Sequence, residues 1–112
     1  MTTTTSIPPM PLPELAERAD AMIRAHFPDR SPERDRDLQV IALAEECGEF
    51  IGAYRRWTGQ ARRTGPFADV RAELADVVIT AYVVAVKLGV DLDAAVQDKA
   101  QTIFSRPWKD PR

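Results

Sequence analysis

The sequence predicts an all-α domain of four helices, and three observations lead to that fold class. Apolar residues recur at spacings of three and four through most of the chain. Glycine or proline stands where these periodic runs stop. The chain of 112 residues fits one domain. A domain this small buries only a little over ~60% of the surface that its unfolded chain exposes, so oligomerisation is expected to complete the core.

The chain opens with a stretch that has little to pack. MTTTTSIPPMPLP contains four prolines, so residues 1–12 are predicted to form a disordered N-terminal arm. The helical domain is then expected to cover residues 13–108, with residues 109–112 as a tail. The first helix begins at Pro13 and ends near His26, and its apolar stripe consists of Leu15, Ala19, Met22, Ile23 and Phe27.

The second helix is predicted from Ser31, which can cap it, with Pro32 at its first position. It runs to about Thr58, and Gly59 with the loop QARRTGP ends it. Its core-facing stripe is predicted to be Val40, Ile41, Ala44, Cys47, Gly48 and Ile51. Cys47 is interpreted as a small buried hydrophobic residue.

The third helix is predicted to start at Phe67 or Ala68 and to end at Leu88, with Gly89 as its cap. Its second half, VVITAYVVAV, is rich in β-branched residues, so a buried strand is the alternative. Helix is favoured because the run continues from RAELAD without a break. A helix that is apolar on every side is expected to be central and buried.

The fourth helix is predicted to be capped by Asp91 and stopped by Pro107.

Composition limits the possible partners. A net charge of −2 and a pI near 5.4 argue against a protein that binds nucleic acid, which usually carries a basic surplus. One cysteine excludes a disulfide within the chain. The longest apolar run, residues 77–86, is shorter than the roughly 20 residues that a membrane span needs. The expected location is therefore cytoplasmic, with no membrane partner.

Two acidic motifs carry the candidate chemistry. On the second helix, Glu45, Glu46 and Glu49 fall within an arc of roughly 100° beside the predicted core stripe. On the third, Glu73 and Asp76 are three residues apart and share a face. If the helices pack antiparallel, the carboxylates converge into a site for Mg²⁺ or Mn²⁺.

The alternative is a structural network with nearby arginines, of which Arg55, Arg56 and Arg71 are the candidates.

The two motifs also form one longer pattern, in which 23 residues separate Glu49 from Glu73. This pattern, followed by a long apolar helix, resembles the signature of the all-α nucleotide pyrophosphohydrolases. These form the MazG-like superfamily, which includes dimeric dUTPases, dCTP pyrophosphatases and phosphoribosyl-ATP pyrophosphohydrolases. The resemblance spans residues 38–108. It implies a four-helix MazG-like bundle that assembles as a homodimer or homotetramer.

The resemblance further implies an activity and a set of site residues. Members of the superfamily cleave a nucleoside triphosphate to the monophosphate and pyrophosphate, often to remove surplus or non-standard nucleotides. The resemblance places Mg²⁺ on Glu46, Glu49, Glu73 and Asp76. Glu45 and Glu46 are the candidate catalytic residues, Glu45 either activating water or supporting the site from outside the ligand set.

Basic residues are candidates for binding phosphate. Four arginines flank the loop after the acidic helix: Arg55, Arg56, Arg62 and Arg63. A favourable interaction with the helix dipole explains them equally well. On the fourth helix, Lys99 and Arg106 resemble a C-terminal Lys and Arg of the superfamily that approach the phosphates. Ile103 departs from the pattern, because many relatives have Asn there.

Aromatic residues are candidates for the nucleoside pocket. Trp57 and Trp108 could stack on a base, and Tyr82 could form a pocket wall, although each is more often a packing residue in a helical domain. His26 is interpreted as a partner of its helix dipole. Two other functions stay open: an inactive helical dimerisation or regulatory module, and a phosphoribosyl-ATP-type pyrophosphohydrolase.

Overall fold

The computed structural model describes residues 6–107, which form four α-helices and no strand. The helices are α1 (Leu12–His26), α2 (Pro32–Trp57), α3 (Phe67–Leu88) and α4 (Leu92–Phe104). The all-α fold class is confirmed, and residues 77–86 are helical, so the strand alternative is wrong. Residues 1–5, residues 109–112 and Trp108 lie outside the described part, as do the predictions that fall on them.

The helix ends follow from local capping chemistry. Ser31 Oγ accepts the Arg34 N–H at 3.1 Å and begins α2. Asp91 Oδ1 accepts the N–H of Ala94 at 3.0 Å and begins α4 in the same way. Gly89 adopts φ 67°, a left-handed conformation that favours glycine, and ends α3. These three predicted ends are confirmed, whereas α1 begins at Leu12, one residue earlier than predicted.

Helix α3 is the centre of the protein and packs against both α1 and α2. Its direction is opposite to that of α2. Lys87 near the end of α3 bonds Asp35 near the start of α2, while Trp57 at the end of α2 meets Phe67 at the start of α3, with ring centroids 4.9 Å apart. The acidic residues of both helices therefore lie at a common level between these two contacts.

The face of α2 that packs on α3 differs from the predicted one. The predicted stripe is exposed along its whole length: Val40, Ile41, Ala44, Cys47, Gly48 and Ile51. The prediction that it lies in the core of the chain is therefore wrong, and so is the interpretation of Cys47 as buried. The inner face is instead formed by a second stripe with helical spacing: Leu43, Glu46, Phe50 and Ala53.

The protomer leaves much apolar surface uncovered. Along α3, Val70, Val83 and Ala85 are buried, but Leu74 and Val78 are exposed, so the prediction of a helix covered on every side is wrong. Helix α4 contacts the other helices only sparsely and contains no buried residue. The radius of gyration is 17.3 Å, whereas a compact domain of similar length has about 13 Å. The four helices therefore do not close into a compact bundle within one chain.

Within residues 6–107, every helix is too short or too polar to traverse a bilayer.

Candidate metal centre

Three carboxylates meet where α2 crosses the first half of α3. Glu46 and Glu49 are one turn apart on α2, and Glu73 faces them from α3. One oxygen from each side chain lies within 4.8 Å of the other two. Glu46 and Glu73 are half-buried, while Glu49 is exposed at the edge. The cluster is therefore open to solvent on one side and closed by the two helices on the other.

The inner oxygens of this cluster have no protein partner. Within the described residues, Glu46 Oε2 and Glu73 Oε2 are buried and accept no hydrogen bond. Buried polar atoms are nearly always hydrogen-bonded, because an unpaired one loses its interaction with water without replacement. A bound cation, a water molecule or a proton shared between the carboxylates would satisfy these two atoms.

The raised pKa values of Glu46 and Glu73 also favour a bound cation. Burial raises the pKa of Glu46, and the charges of Glu49, Asp76 and Glu73 raise it further. Burial also raises the pKa of Glu73, with Glu49 and Asp76 adding to the effect and Arg56 opposing it. Each carboxylate is destabilised by burial and by like charge, and a cation between them would relieve both.

A hard divalent cation fits this donor set. All three groups offer carboxylate oxygens, the ligands that Mg²⁺ and Mn²⁺ prefer, whereas zinc favours histidine and cysteine. Cys47, next to Glu46 in sequence, is exposed and does not belong to the group. The two oxygens without hydrogen bonds are the observation that separates this cluster from an ordinary solvated acidic surface.

The other predicted acidic residues lie outside the group of three. Asp76 is exposed, one turn beyond Glu73, and is near enough for its charge to raise the pKa of both Glu46 and Glu73. Glu45 is exposed and adjacent in sequence to Glu46. The structure thus brings together three of the four predicted ligands, with the fourth nearby.

The arginine network that was the structural alternative is not formed. Within residues 6–107, no arginine makes an ion pair with any of the three glutamates. Arg55 instead donates to the Gln60 carbonyl at 3.1 Å. Arg56 is half-buried and affects Glu73 through its charge alone. Arg71 is exposed.

The remaining candidates for phosphate binding are solvent-exposed. Arg62 and Arg63 lie in the loop between α2 and α3, Lys99 lies on α4, and Arg106 lies just beyond it. No hydrogen bond or ion pair between the described residues joins them to the acidic group. Their role in binding phosphate stays a prediction.

The predicted base-binding residues have packing roles in the protomer. The Trp57 ring stands edge-on to Phe67 and, at 6.2 Å between centroids, to Tyr54. The Tyr82 hydroxyl donates to Asp93 Oδ1 at 2.6 Å, a bond that raises the pKa of Tyr82 and links α3 to α4. Trp57 is half exposed, which leaves part of its ring free for a ligand.

One charged cluster was missed by the sequence analysis. Lys87 on α3 bonds Asp20 on α1 and Asp35 on α2, and all three side chains are largely buried. The available signal was Lys87 itself, the one charged residue in the apolar second half of α3. A charge in such a segment needs a buried partner.

Comparison of the chain with known protein families, with curated proteins and with solved structures finds no match. The MazG-like resemblance therefore stays a prediction that rests on the motif residues.

Proposed function

We propose that this protein is a MazG-like nucleoside triphosphate pyrophosphohydrolase that depends on Mg²⁺ or Mn²⁺. The observation that carries the proposal is the meeting of Glu46, Glu49 and Glu73 around two buried oxygens that have no hydrogen bond. The reaction would hydrolyse a (deoxy)nucleoside triphosphate to the monophosphate and pyrophosphate. Housekeeping of the nucleotide pool is the corresponding cellular role.

The chemistry of the site supports this class of substrate. A triphosphate is repelled by a cluster of carboxylates, so the two can meet only through a cation. When bound, a divalent ion would neutralise phosphate charge and lower the pKa of a water molecule. Glu46, Glu49 and Glu73 would hold the ion, with Asp76 beside them as the predicted fourth ligand.

The protein's own residues would then supply positioning and proton transfer. Glu45 and Glu46 are the proposed acceptors of the proton from the attacking water, because a carboxylate near a reacting water can act as a general base. Arg56 is one proposed donor to phosphate, and its charge lowers the pKa of Glu73. The other proposed donors are Arg55, Arg62, Arg63, Lys99 and Arg106.

We further propose that the protein assembles as a homodimer or homotetramer. The exposed apolar stripe of α2 lies on the helix that carries Glu46 and Glu49, and α4 is hardly covered by its own chain. Apolar surface of this kind is typical of subunit interfaces.

A nucleotide panel tests the activity. Purified protein should release pyrophosphate from at least one nucleoside triphosphate when Mg²⁺ or Mn²⁺ is present, and none in EDTA. E49Q and D76N should abolish turnover while circular dichroism shows unchanged helicity. E33Q is the matched control, because Glu33 is an exposed glutamate of α2 outside the cluster. Metal-independent release, or wild-type rates in both variants, would contradict the proposal.

Binding of the ion is tested separately by the paramagnetic resonance of Mn²⁺. Free Mn²⁺ should fall on titration with wild-type protein, and E73Q should weaken this binding strongly while E33Q leaves it unchanged. A protein that binds Mn²⁺ through the cluster but cleaves no nucleotide in the panel would favour the second function, an inactive dimerisation or regulatory module. The exposed apolar stripe of α2 is the observation that favours that alternative.

A further inference from the structure

A cavity of about 310 Å³ opens at the end of the protein where α1 turns into α2. Its charged lining consists of Asp20, Arg24, Arg30, Asp35, Arg36 and Lys87. Lys87 follows Glu73 on α3 by 14 residues, a separation of about 20 Å along a helix. This cavity is therefore separate from the carboxylate cluster, and its chemistry is different.

The floor of the cavity is a set of ion pairs in which, within the described residues, Asp35 Oδ1 accepts no hydrogen bond. Lys87 Nζ donates to Asp20 Oδ1 and to Asp35 Oδ2, and the lysine side chain is only 5% exposed. Because these bonds join α1, α2 and α3, the two carboxylates are fixed in position. They can in turn hold other side chains at the cavity.

Two arginines are oriented by this floor. Arg24 Nε donates to Asp20 Oδ2 at 3.1 Å. Arg30 makes a charge contact without a hydrogen bond, its Nη1 lying 3.5 Å from Asp35 Oδ1, and its guanidinium lies 3.6 Å from the centroid of the Phe27 ring. A guanidinium has five N–H donors, so each of these arginines keeps several for a ligand. Side chains held in this way lose little entropy when an anion binds.

The third arginine completes the positive rim. Arg36 is half exposed, and within the described residues it pairs only with its neighbour Asp37, at 3.4 Å. Arg24, Arg30, Arg36 and Lys87 together carry one more charge than Asp20, Asp35 and Asp37, which leaves a small excess of positive charge at the cavity. Guanidinium groups suit phosphate because two of their N–H groups can donate to two of its oxygens.

We propose that this cavity binds a phosphate group, as inorganic phosphate or as the end of a phosphomonoester. Arg24, Arg30 and Arg36 are the donors, and the Asp20–Lys87–Asp35 cluster holds them in place. The proposal does not depend on the proposed enzymatic function.

Titration of the metal-free protein tests this site. EDTA removes divalent cations, so the cluster of Glu46, Glu49 and Glu73 repels anions. Phosphate bound at that cluster therefore does not contribute to the measured binding. Inorganic phosphate, ribose 5-phosphate and acetate are titrated at constant ionic strength, adjusted with chloride, while the arginine Nε–H signals are followed by NMR. Saturable binding of either phosphate compound, with a shift of the Arg24 signal, is the expected result. Tighter binding of one of the two identifies free phosphate or a phosphomonoester as the ligand.

Paired variants assign the binding to the cavity. R24Q and R36Q should each raise the Kd at least tenfold. R18Q and R34Q are the matched controls, because Arg18 and Arg34 lie on the same two helices, are exposed and do not line this cavity. They should change the Kd less than twofold. Circular dichroism shows whether R24Q disturbs folding. If it does, the Kd of R36Q alone tests the assignment. Unsaturable binding, equal binding of acetate, or equal losses in the control variants would overturn the proposal.

Discussion

At the level of single residues, Lys87 is a charged side chain that is only 5% exposed. Its ammonium is buried at the junction of three helices and is neutralised by two carboxylates from different helices. Ion pairs of this kind add little net stability when complete, because the Coulomb attraction mainly offsets the cost of removing the charges from water. Removing one partner is costly, because a buried charge then stays without compensation.

We therefore predict that K87M destabilises the protein by about 3–5 kcal/mol. The loss arises because Asp20 and Asp35 lose their buried ammonium partner and keep only the more exposed Arg24 and Arg30. Urea unfolding followed by circular dichroism measures the difference. K99M is the control, because Lys99 is exposed on α4. Equal stabilities of K87M and K99M would contradict the assignment.

The same cluster predicts how stability depends on pH. The hydrogen bond from Lys87 lowers the pKa of Asp35 below its ordinary 3.8, although burial opposes the shift. The folded protein therefore holds this proton less tightly than the unfolded chain. The stability contributed by Asp35 is present above its ordinary pKa and is lost as pH falls through the lowered value.

Burial disfavours the Lys87 ammonium, but its bonds to Asp20 and Asp35 outweigh this effect and raise its pKa above 10.5. Its contribution is thus present at neutral pH and is lost only as pH rises through the raised value.

We expect the free energy of unfolding of the wild-type protein to fall steeply below about pH 4 and that of D35N to fall less. Asparagine cannot take up the proton that weakens the cluster, so the variant should be less stable at pH 7 but less sensitive to acid. Urea titrations at a series of pH values measure both slopes. Asp37, an exposed aspartate two residues further along α2, supplies the control D37N, which should keep the wild-type slope. A wild-type slope in D35N would refute this explanation.

At the level of helices, α4 is held differently from the other three. It has no buried residue, its Phe104 is 79% exposed, and the Tyr82–Asp93 hydrogen bond attaches its first turn to α3. A helix of 13 residues is marginal in water without tertiary packing. Its order in the isolated protomer therefore depends on few contacts.

We predict that Y82F increases the hydrogen exchange of α4 while α2 and α3 keep their protection. The variant removes the hydroxyl that Asp93 accepts and leaves the ring in place. Exchange measured by mass spectrometry on peptides from each helix resolves the effect. Y54F is the control, because the Tyr54 ring belongs to the aromatic cluster with Trp57 and is remote from α4 in sequence. Unchanged exchange in α4 would show that other contacts hold it.

At the level of the whole molecule, the protomer is more open than a compact domain of its length. Apolar side chains are exposed on each of α2, α3 and α4, among them Ile41, Val78 and Phe104. Surface of this extent disfavours an isolated monomer in water, because apolar area stabilises a protein only when it is buried. The proposed assembly of several chains would bury it.

We predict that I41E shifts the protein towards the monomer, which light scattering measures as a loss of mass at equal concentration. Ile41 belongs to the exposed apolar stripe of α2 and is 53% exposed. A carboxylate at this position would oppose burial of the stripe against another chain. M22E is the control, since Met22 is an exposed apolar residue of α1 between Arg18 and His26. An unchanged mass in I41E, or an equal loss in M22E, would exclude this stripe as the interface.

The sequence alone determined where the helices are capped and which acidic residues form each motif. Ser31, Gly89 and Asp91 act through bonds to residues within a few positions, so their effect can be predicted without knowing the fold. Helical spacing likewise placed Glu46 with Glu49, because that relation depends only on the helix repeat.

Only the tertiary structure decided which face of each helix turns inward. Helix α2 has two apolar stripes, and periodicity cannot choose between them, because either one could pack against a neighbour. Packing on α3 selected the stripe that contains Glu46, and so made this residue half-buried and left Glu45 and Cys47 exposed. The bonds from Lys87 to Asp20 and Asp35 span 67 and 52 residues. Contacts between residues so far apart in the sequence depend on how whole helices pack, which no local pattern specifies.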